Sequence, residues 1–492
     1  MDRERKLSKK LGENLKELEG ELGVGVNFDI LVRKLKVAGR DAALFATDGL
    51  VNDAVLTNVL RMVMKLKREE LTPEALEALF LEGIPHIEVN AVTKFGDFID
   101  QVLSGPPVLI VDGFDTAFAI DVRTYPSRSP SEPQLERVMR GSRDGFVETL
   151  IFNTALVRRR IRDPRLRVER FQVGRRSKTD VALLYLQDVA NAKLVDQVRK
   201  QLQDIQVDAI PMAEKSVEEY LQSGPTQWWN PFPLVRYTER PDVAAVHILE
   251  GHLIILVDTS PSAMILPVTF FHHLQHAEEY REDVAVGTYL RLVRYIAMFL
   301  AWVGPPLWVA LVLMVDQLPP GWQFLGPKKP GVVPIALQFL FAEIVLDLVR
   351  IALIHTPEPV STALGFIGTV LLGQIAAEVG LLASETVMYV ALAALGSFAT
   401  PSMEFAMAVR LMRLILLGAV AAFRIWGLVG ALLLELILIG FTRSFGVPYL
   451  WPLIPLDWGA LKAVVLRLPL PARHVRPSIL KPREQKTSRP GK

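Results

Sequence analysis

Residues 292–315 read LVRYIAMFLAWVGPPLWVALVLMV, with Arg294 the one charged side chain in the run. About 20 apolar residues let a helix cross the roughly 30 Å hydrocarbon core of a bilayer, so this stretch predicts a membrane span. It also marks a change of solvent along the chain. Charge is dense before about residue 295 and sparse from there to 460, and nine lysines and arginines then crowd positions 462–492 against the single acid Glu484. The pattern predicts an α/β soluble N-terminal region, an all-α polytopic transmembrane domain over 286–460, and a basic tail over 461–492.

Five further apolar segments follow the first, at about 333–354, 362–382, 386–400, 405–422 and 424–441. The second carries Glu343, Asp347 and Arg350 on one helix face, and the fifth carries Arg410 and Arg413. The start, MDRERKLSKKLGENLKELEG, lacks the apolar core of a signal peptide. The tail beyond the last span is basic, so both termini are expected on the cytoplasmic side. That requires an even number of crossings, six, or four if two segments lie flat or re-enter. Trp302, Trp308, Trp426, Trp451 and Trp458 fall mostly near segment ends, where interfacial anchors belong. Polar groups inside spans are costly, so Gln374, Glu378 and Glu435 need a use. They line a path for ions, or they pair with Arg410, Arg413 or Arg424. In the third segment Gly365, Gly368, Thr369, Gly373, Gln374 and Glu378 are small or polar at three- and four-residue spacing. They are the candidate pore-lining residues, since one such stripe can face a symmetry axis. The competing reading makes the stripe a helix-packing seam.

The soluble part contains two similar stretches. DAALF at 41–45 matches DVALL at 180–184, Asn52 stands opposite Asn191, and LIVD at 109–112 matches ILVD at 255–258. The order strand, helix, hairpin ending in Asp is preserved, so these read as two similar small α/β units, each with helices on one side of its sheet; the competing reading is that two-layer α/β sequences look alike without being repeats. The first, 25–123, has strands at 28–37, 41–47, 108–112 and 116–122 and a helix near 52–67. Thr124–Pro133 (TYPSRSPSEP) is a Pro/Ser-rich linker. The second unit, 134–285, opens on a helix over 134–160. It continues with strands at 166–174 and 179–186, a helix at 191–204, and strands at 245–249, 253–258 and 262–267. Residues 1–24 form a charged helix whose leucine stripe, Leu7, Leu11, Leu15 and Leu18, is too narrow for a core and docks on a neighbour.

Composition excludes much chemistry. There is no cysteine, hence no disulfide, thiolate ligand or thiol nucleophile. A net charge of +2, from 55 basic and 53 acidic residues, gives no nucleic-acid footprint. Phosphate-binding glycine loops, dinucleotide fingerprints, His-Glu-x-x-His and nucleophile elbows are all missing. No catalytic residue, cofactor or metal is therefore expected. His272, His276 and Glu279 stand at i, i+4, i+7, but beside a membrane entrance such side chains are more often solvated than metal-bound. Arg158-Arg159-Arg160 reads as a solvated face beside the bilayer, within reach of anionic lipid.

Several motifs agree in order with one known family. They are Asn230-Pro231-Phe232-Pro233, then Arg236, Tyr237, Thr238, Glu239, Arg240, Pro241 and Asp242, and Leu249-Glu250-Gly251-His252. With them come Asp144-Gly145-Phe146-Val147-Glu148, Asn153-Thr154, Leu156 to Ile161, Gly373-Gln374, Ala376-Ala377-Glu378, Gly380, and Arg443 to Leu450. From about 25 to 465 the chain resembles the bacterial spore germination proteins typified by germinant receptor A subunits, and within them the stage V sporulation AF branch. The resemblance implies a multi-pass protein of the inner spore membrane. It implies a ring-shaped, pentamer-like homo-oligomer whose membrane domains conduct ions, and release of monovalent cations with a small membrane partner. The alternatives it leaves are a nutrient receptor A subunit acting with B and C subunits, and a non-conducting scaffold. The charged turn from Arg236 to Asp242 is a subunit contact or an ion pair within the domain.

Overall fold

The computed structural model describes residues 4–65, 89–124, 136, 138, 140–222, 229–329, 331–354, 372–469 and 476–484. The chain divides into two compact units, one of residues 1–223, 237–267 and 470–492, the other of 224–236 and 268–469.

The first unit begins with α1 (Leu11–Glu21), β1 (Ile30–Val37), β2 (Arg40–Thr47), α2 (Asp53–Val63), β3 (Val89–Val92), α3 (Phe95–Ser104), β4 (Val108–Val111) and β5 (Ala117–Ile120). It continues with α4 (Leu150–Arg160), β6 (Leu166–Val173), β7 (Thr179–Leu186), α5 (Ala192–Gln203), α6 (Ala213–Leu221), β8 (Arg236–Thr238), α7 (Pro241–Glu250), β9 (Leu253–Val257) and β10 (Ala263–Leu266). The strands form two five-stranded antiparallel sheets, ordered β1-β2-β4-β5-β3 and β6-β7-β9-β10-β8. Strands β4 and β5 are buried at every position, which requires cover on both faces. Ala43, Phe45, Val108 and Ile110 pack with α1 and α3 through Leu11, Leu18, Phe98 and Val102. Ala42, Leu44, Leu109 and Val111 pack with α2 through Leu56, Val59, Leu60 and Val63. This corrects the expectation of helices on one side: alternate strand residues face opposite ways, and here both sets are apolar. Helix α1 is also more than an appendage, since Leu7, Leu11 and Leu18 are buried in this core.

The two sheets repeat one another in detail. Asn52 caps α2 by accepting from the Val55 N–H at 3.2 Å, and Asn191 caps α5 by accepting from the Lys193 N–H at 3.1 Å. Asp112 accepts from the Leu11 amide that opens α1, and Asp258 from the Leu150 amide that opens α4, at 2.9 and 3.0 Å. Asn14 clamps the backbone N–H and C=O of Ser8, and Asn153 does the same to Val147. By these marks α1 is the counterpart of α4. The repeats meet where Asn27 accepts from the Val168 N–H at 2.7 Å and Asp29 receives the Arg158 guanidinium at 2.9–3.1 Å. Asp29 and Arg158 are both fully buried, so Arg158 is an internal tie and not a solvated, lipid-facing residue.

Two expected elements differ. Residues 245–249 lie in α7 instead of a strand. Pro241 sits at its start, where a missing N–H costs nothing, and Gly251 stops it at φ 105°. The helix expected from residue 134 begins only at Leu150. Of the linker Thr124–Pro133, all but Thr124 lies outside the described residues.

The second unit holds α8 (Val284–Val312), α9 (Ile335–Ile354), α10 (Leu372–Glu378), α11 (Ser384–Phe398), α12 (Met403–Phe441) and α13 (Trp458–Val465). Among the described residues two helices, α8 and α12, are long and apolar enough to cross a membrane. Run straight, the 39 residues of α12 would extend about 58 Å. The ring of Phe232 nevertheless lies 6.1 Å from that of Phe405 and 6.2 Å from that of Tyr449, and the Tyr449 N–H reaches the Thr442 carbonyl at 3.0 Å. The two ends therefore meet, and the helix doubles back at Arg424 (φ 53°, ψ −133°). Gly427 makes the reversal possible, because a Cβ there would overlap the Ala419 carbonyl oxygen. The legs, 403–423 and 425–441, correspond to the fifth and sixth apolar segments.

Candidate functional site

Motifs more than 200 residues apart converge on Tyr449, which is fully buried. Around it stand Phe232, Phe270, Phe405 and His273. Asn230 donates to the Thr442 hydroxyl at 3.0 Å. The Ser444 hydroxyl accepts from the Val268 N–H at 2.9 Å and donates to the Leu234 carbonyl at 2.7 Å. His273 stacks on Phe405 with ring centroids 5.3 Å apart. Burial, reinforced by the Arg236 charge, pushes its pKa down to about 3, so the ring stays neutral at ordinary pH. Arg236 itself donates to the His272 carbonyl at 2.6 Å. His272, His276 and Glu279 do not share a helix face. They sit in or beside two separate 3-10 turns, Phe270–Leu274 and Ala277–Tyr280. His272 Nδ1 accepts from the Thr269 N–H at 3.0 Å, His276 Nδ1 from the Glu278 N–H at 3.2 Å, and Glu279 is taken by Arg291 at 2.6 Å and by Arg294.

The rest of the charged turn lies in the first unit. Tyr237 donates to Glu218 and Thr238 to Glu136, both at 2.6 Å. The Glu239 carbonyl accepts from the Phe146 N–H at 2.8 Å. Buried Arg240 pairs with Asp242 at 2.8 Å and donates to the Ser142 carbonyl at 3.0 Å, and Pro241 opens α7. Within one chain, then, this motif fastens the segment before α4 to the start of α7.

Four charged side chains of α9 and α12, Glu343, Asp347, Arg410 and Arg413, pair with one another. Glu343 on α9 meets Arg410 at 2.9 Å and Arg413 at 2.7 Å, and Asp347 meets Arg410 at 2.6 Å. Arg413 also donates to the Ala301 carbonyl of α8 at 2.6 Å. Two guanidinium groups thus face two carboxylates across three helices. Glu435 accepts from the Trp302 indole at 2.8 Å, and the Trp308 indole donates to the Leu325 carbonyl at 3.0 Å. Trp302, Trp308 and Trp451 are buried packing residues in place of the expected interfacial anchors, whereas Trp426 and Trp458 are exposed. The arginines pair with Glu343 and Asp347 and not with Glu378 or Glu435. The signal was available: carboxylates at i, i+4 on one helix match arginines at i, i+3 on another.

Of the candidate pore-lining residues, Gly365, Gly368 and Thr369 lie outside the described residues. Gly373 and Gln374 belong to α10, though their side chains are outside the described set. Glu378 ends α10, is exposed, and has no ion pair among the described residues.

The structure defines a class of protein in which a tandem α/β repeat precedes a helical unit with two helices of membrane-spanning length. The chain belongs to the GerA family: the model of the Bacillus/Clostridium GerA spore germination protein matches residues 16–479. It is similar to stage V sporulation protein AF of Bacillus subtilis (strain 168), at 46% identity over 473 residues, covering 96% of this chain and 95% of that one. It is 31% identical to spore germination protein GerLA of Bacillus cereus, covering 98% and 97%. Among solved structures it matches the N-terminal domain of the A subunit of the Bacillus megaterium spore germinant receptor GerK3 at 31% identity and a TM-score of 0.43, covering 54% of this chain and 98% of that one.

Proposed function

We propose that the chain is an A-type subunit of a germination complex in the inner spore membrane, acting with B- and C-type subunits. The observation that carries this reading is the end-to-end match to germination proteins, which takes in both compact units. A tagged copy expressed during sporulation should bring down B- and C-type subunits from detergent-solubilised spore membranes, and its deletion should slow nutrient-triggered germination. Recovery of the tagged protein alone, with germination kinetics unchanged by deletion, would overturn the reading.

A second reading, a ring-shaped homo-oligomer conducting monovalent cations, is favoured by Glu378. Glu343 and Asp347 are neutralised by arginines, whereas Glu378 is exposed and unpaired among the described residues. A ring of such carboxylates would attract cations, and the stripe from Gly365 through Glu378 would line the path. Both termini then face the spore core, and each leg of α12 crosses once, the longer one spanning about 31 Å. Potassium flux from proteoliposomes tests this. Glu378→Gln should lower cation preference and Thr369→Trp should block flux, with assembly intact. Parent-like conduction by both variants places the path elsewhere.

A further inference from the structure

The loops after β2 and β7 are counterparts. The Leu50 N–H bonds the Thr47 carbonyl at 3.3 Å and the Val189 N–H bonds the Leu186 carbonyl at 3.2 Å. The Asp48 and Gln187 amides reach the Asp29 and Arg165 carbonyls at 2.8 and 3.0 Å. Each loop ends at a capping asparagine, Asn52 or Asn191. In the first repeat, the residues directly after β5 cover the edge of this loop. The Asn52 N–H donates to the Val122 carbonyl and the Thr124 N–H to the Leu50 carbonyl, each at 2.9 Å.

The second repeat cannot cover its edge in this way, because after β10 the chain leaves at Pro267 for the helical unit. The edge is taken by residues from the far end of the sequence. The Arg483 N–H donates at 3.0 Å to the Val189 carbonyl, the acceptor equivalent to that of Leu50. Asn191 Nδ2 lies 3.5 Å from the Leu480 carbonyl. Leu480 and Pro482 are buried, and Pro482 Cβ comes within 3.8 Å of where a Cβ on Gly251 would stand. Arg476 donates to the Leu249 and Glu484 carbonyls, both at 2.8 Å, which closes the segment into a loop.

We infer that residues 476–484 are the missing edge segment of the second repeat and occupy, in cis, a peptide slot formed by Gln187–Asn191 and Leu249–Gly251. The slot takes a short segment with a buried Leu-x-Pro core and a flanking arginine. A segment held by one backbone–backbone bond, a few side-chain bonds to carbonyls and two buried side chains belongs to the low-stability end of a fold, so it is a clasp that can open while both sheets remain intact. It fastens the stretch that follows the helical unit to the repeat from which that unit departs.

The chain has no cysteine, so a Gly251→Cys, Pro482→Cys double variant of the full-length protein has one disulfide to make. The 3.8 Å separation equals the usual Cβ–Cβ distance across such a bond. Oxidation should give a faster-migrating monomer on a non-reducing gel. A covalent dimer overturns seating in cis and shows the tail exchanged with a second copy. Gly251 has φ 105°, which strains a cysteine there, so a second measurement decides if no disulfide forms. A protease site placed within 470–475 of the full chain is cleaved, and retention of the tail peptide is followed by gel filtration. The cleaved tail should stay bound, and Leu480→Asp should speed its loss by about tenfold or more, because a carboxylate would replace a buried leucine. Immediate loss from the parent, or identical retention by Leu480→Asp, overturns the proposal.

Discussion

Asp29→Ala removes the counter-ion of a guanidinium with no access to solvent. Arg158 is 0% exposed and Asp29 1%, and the two are joined at 2.9–3.1 Å. After the substitution Arg158 retains, among the described residues, the Leu166 carbonyl at 3.1 Å, a dipole in place of a full charge. Breaking a buried pair from one side costs about 3–5 kcal/mol. In a unit of this size each kcal/mol moves Tm by about 2–4 °C, so the α/β unit should melt roughly 6–20 °C lower. Arg158→Met should cost a similar amount by stranding Asp29. The double variant Asp29→Leu, Arg158→Met should recover most of the loss, because both charges leave together and apolar atoms fill the site. Circular dichroism melts of the detergent-solubilised full chain give the magnitude, and hydrogen exchange in α4 and β6 assigns it to the junction of the repeats. A single variant melting within about 2 °C of the parent, or a double variant worse than either single, would refute the reasoning.

Gly427→Val should abolish recovery of folded protein by gel filtration, because its side chain would enter the Ala419 carbonyl, whereas Gly430→Val, which meets nothing within 4 Å, should be recovered normally. Asn52→Ala and Asn191→Ala should each lose about 1 kcal/mol and together about the sum, measured by thermal melts. His273 is neutral when folded, and its pKa is lowered to about 3 by burial and then by Arg236. The unfolded ring takes up a proton below about pH 6.5. Stability should therefore be full above pH 6.5 and fall as pH drops from there toward 3, and His273→Phe should flatten that slope in melts taken between pH 7.5 and 5.

Much of the α/β architecture was legible because its signals are local. The alternation in DAALF, the closely spaced strands at 108–112 and 116–122 and the helix-capping Asn52 and Asn191 all report on neighbours a few residues away. The errors arise where a distant partner decides. Residues 245–249 have the composition of a strand, but Pro241 and Gly251 fix a helix between them. The charged face of α1 hides leucines that serve a core built mostly from residues beyond 90. The candidate pore stripe was drawn from composition alone, and only its last residues, ending at Glu378, fall on a described helix. The convergence on Tyr449 was out of reach, since residues 232, 270, 405 and 449 carry no local sign of one another.

The reversal at Arg424 bears on sidedness. A chain that doubles back returns to the face it left, so Met403–Phe441 contributes an even number of crossings, two if both legs are immersed and none if neither is. Counted as one long rod by length and hydropathy, the same residues would place everything after Thr442 on the opposite face from everything before Met403. The hairpin removes that inversion. Whatever depth the tip at Phe423–Trp426 reaches, Met403 and Thr442 then lie on the same side.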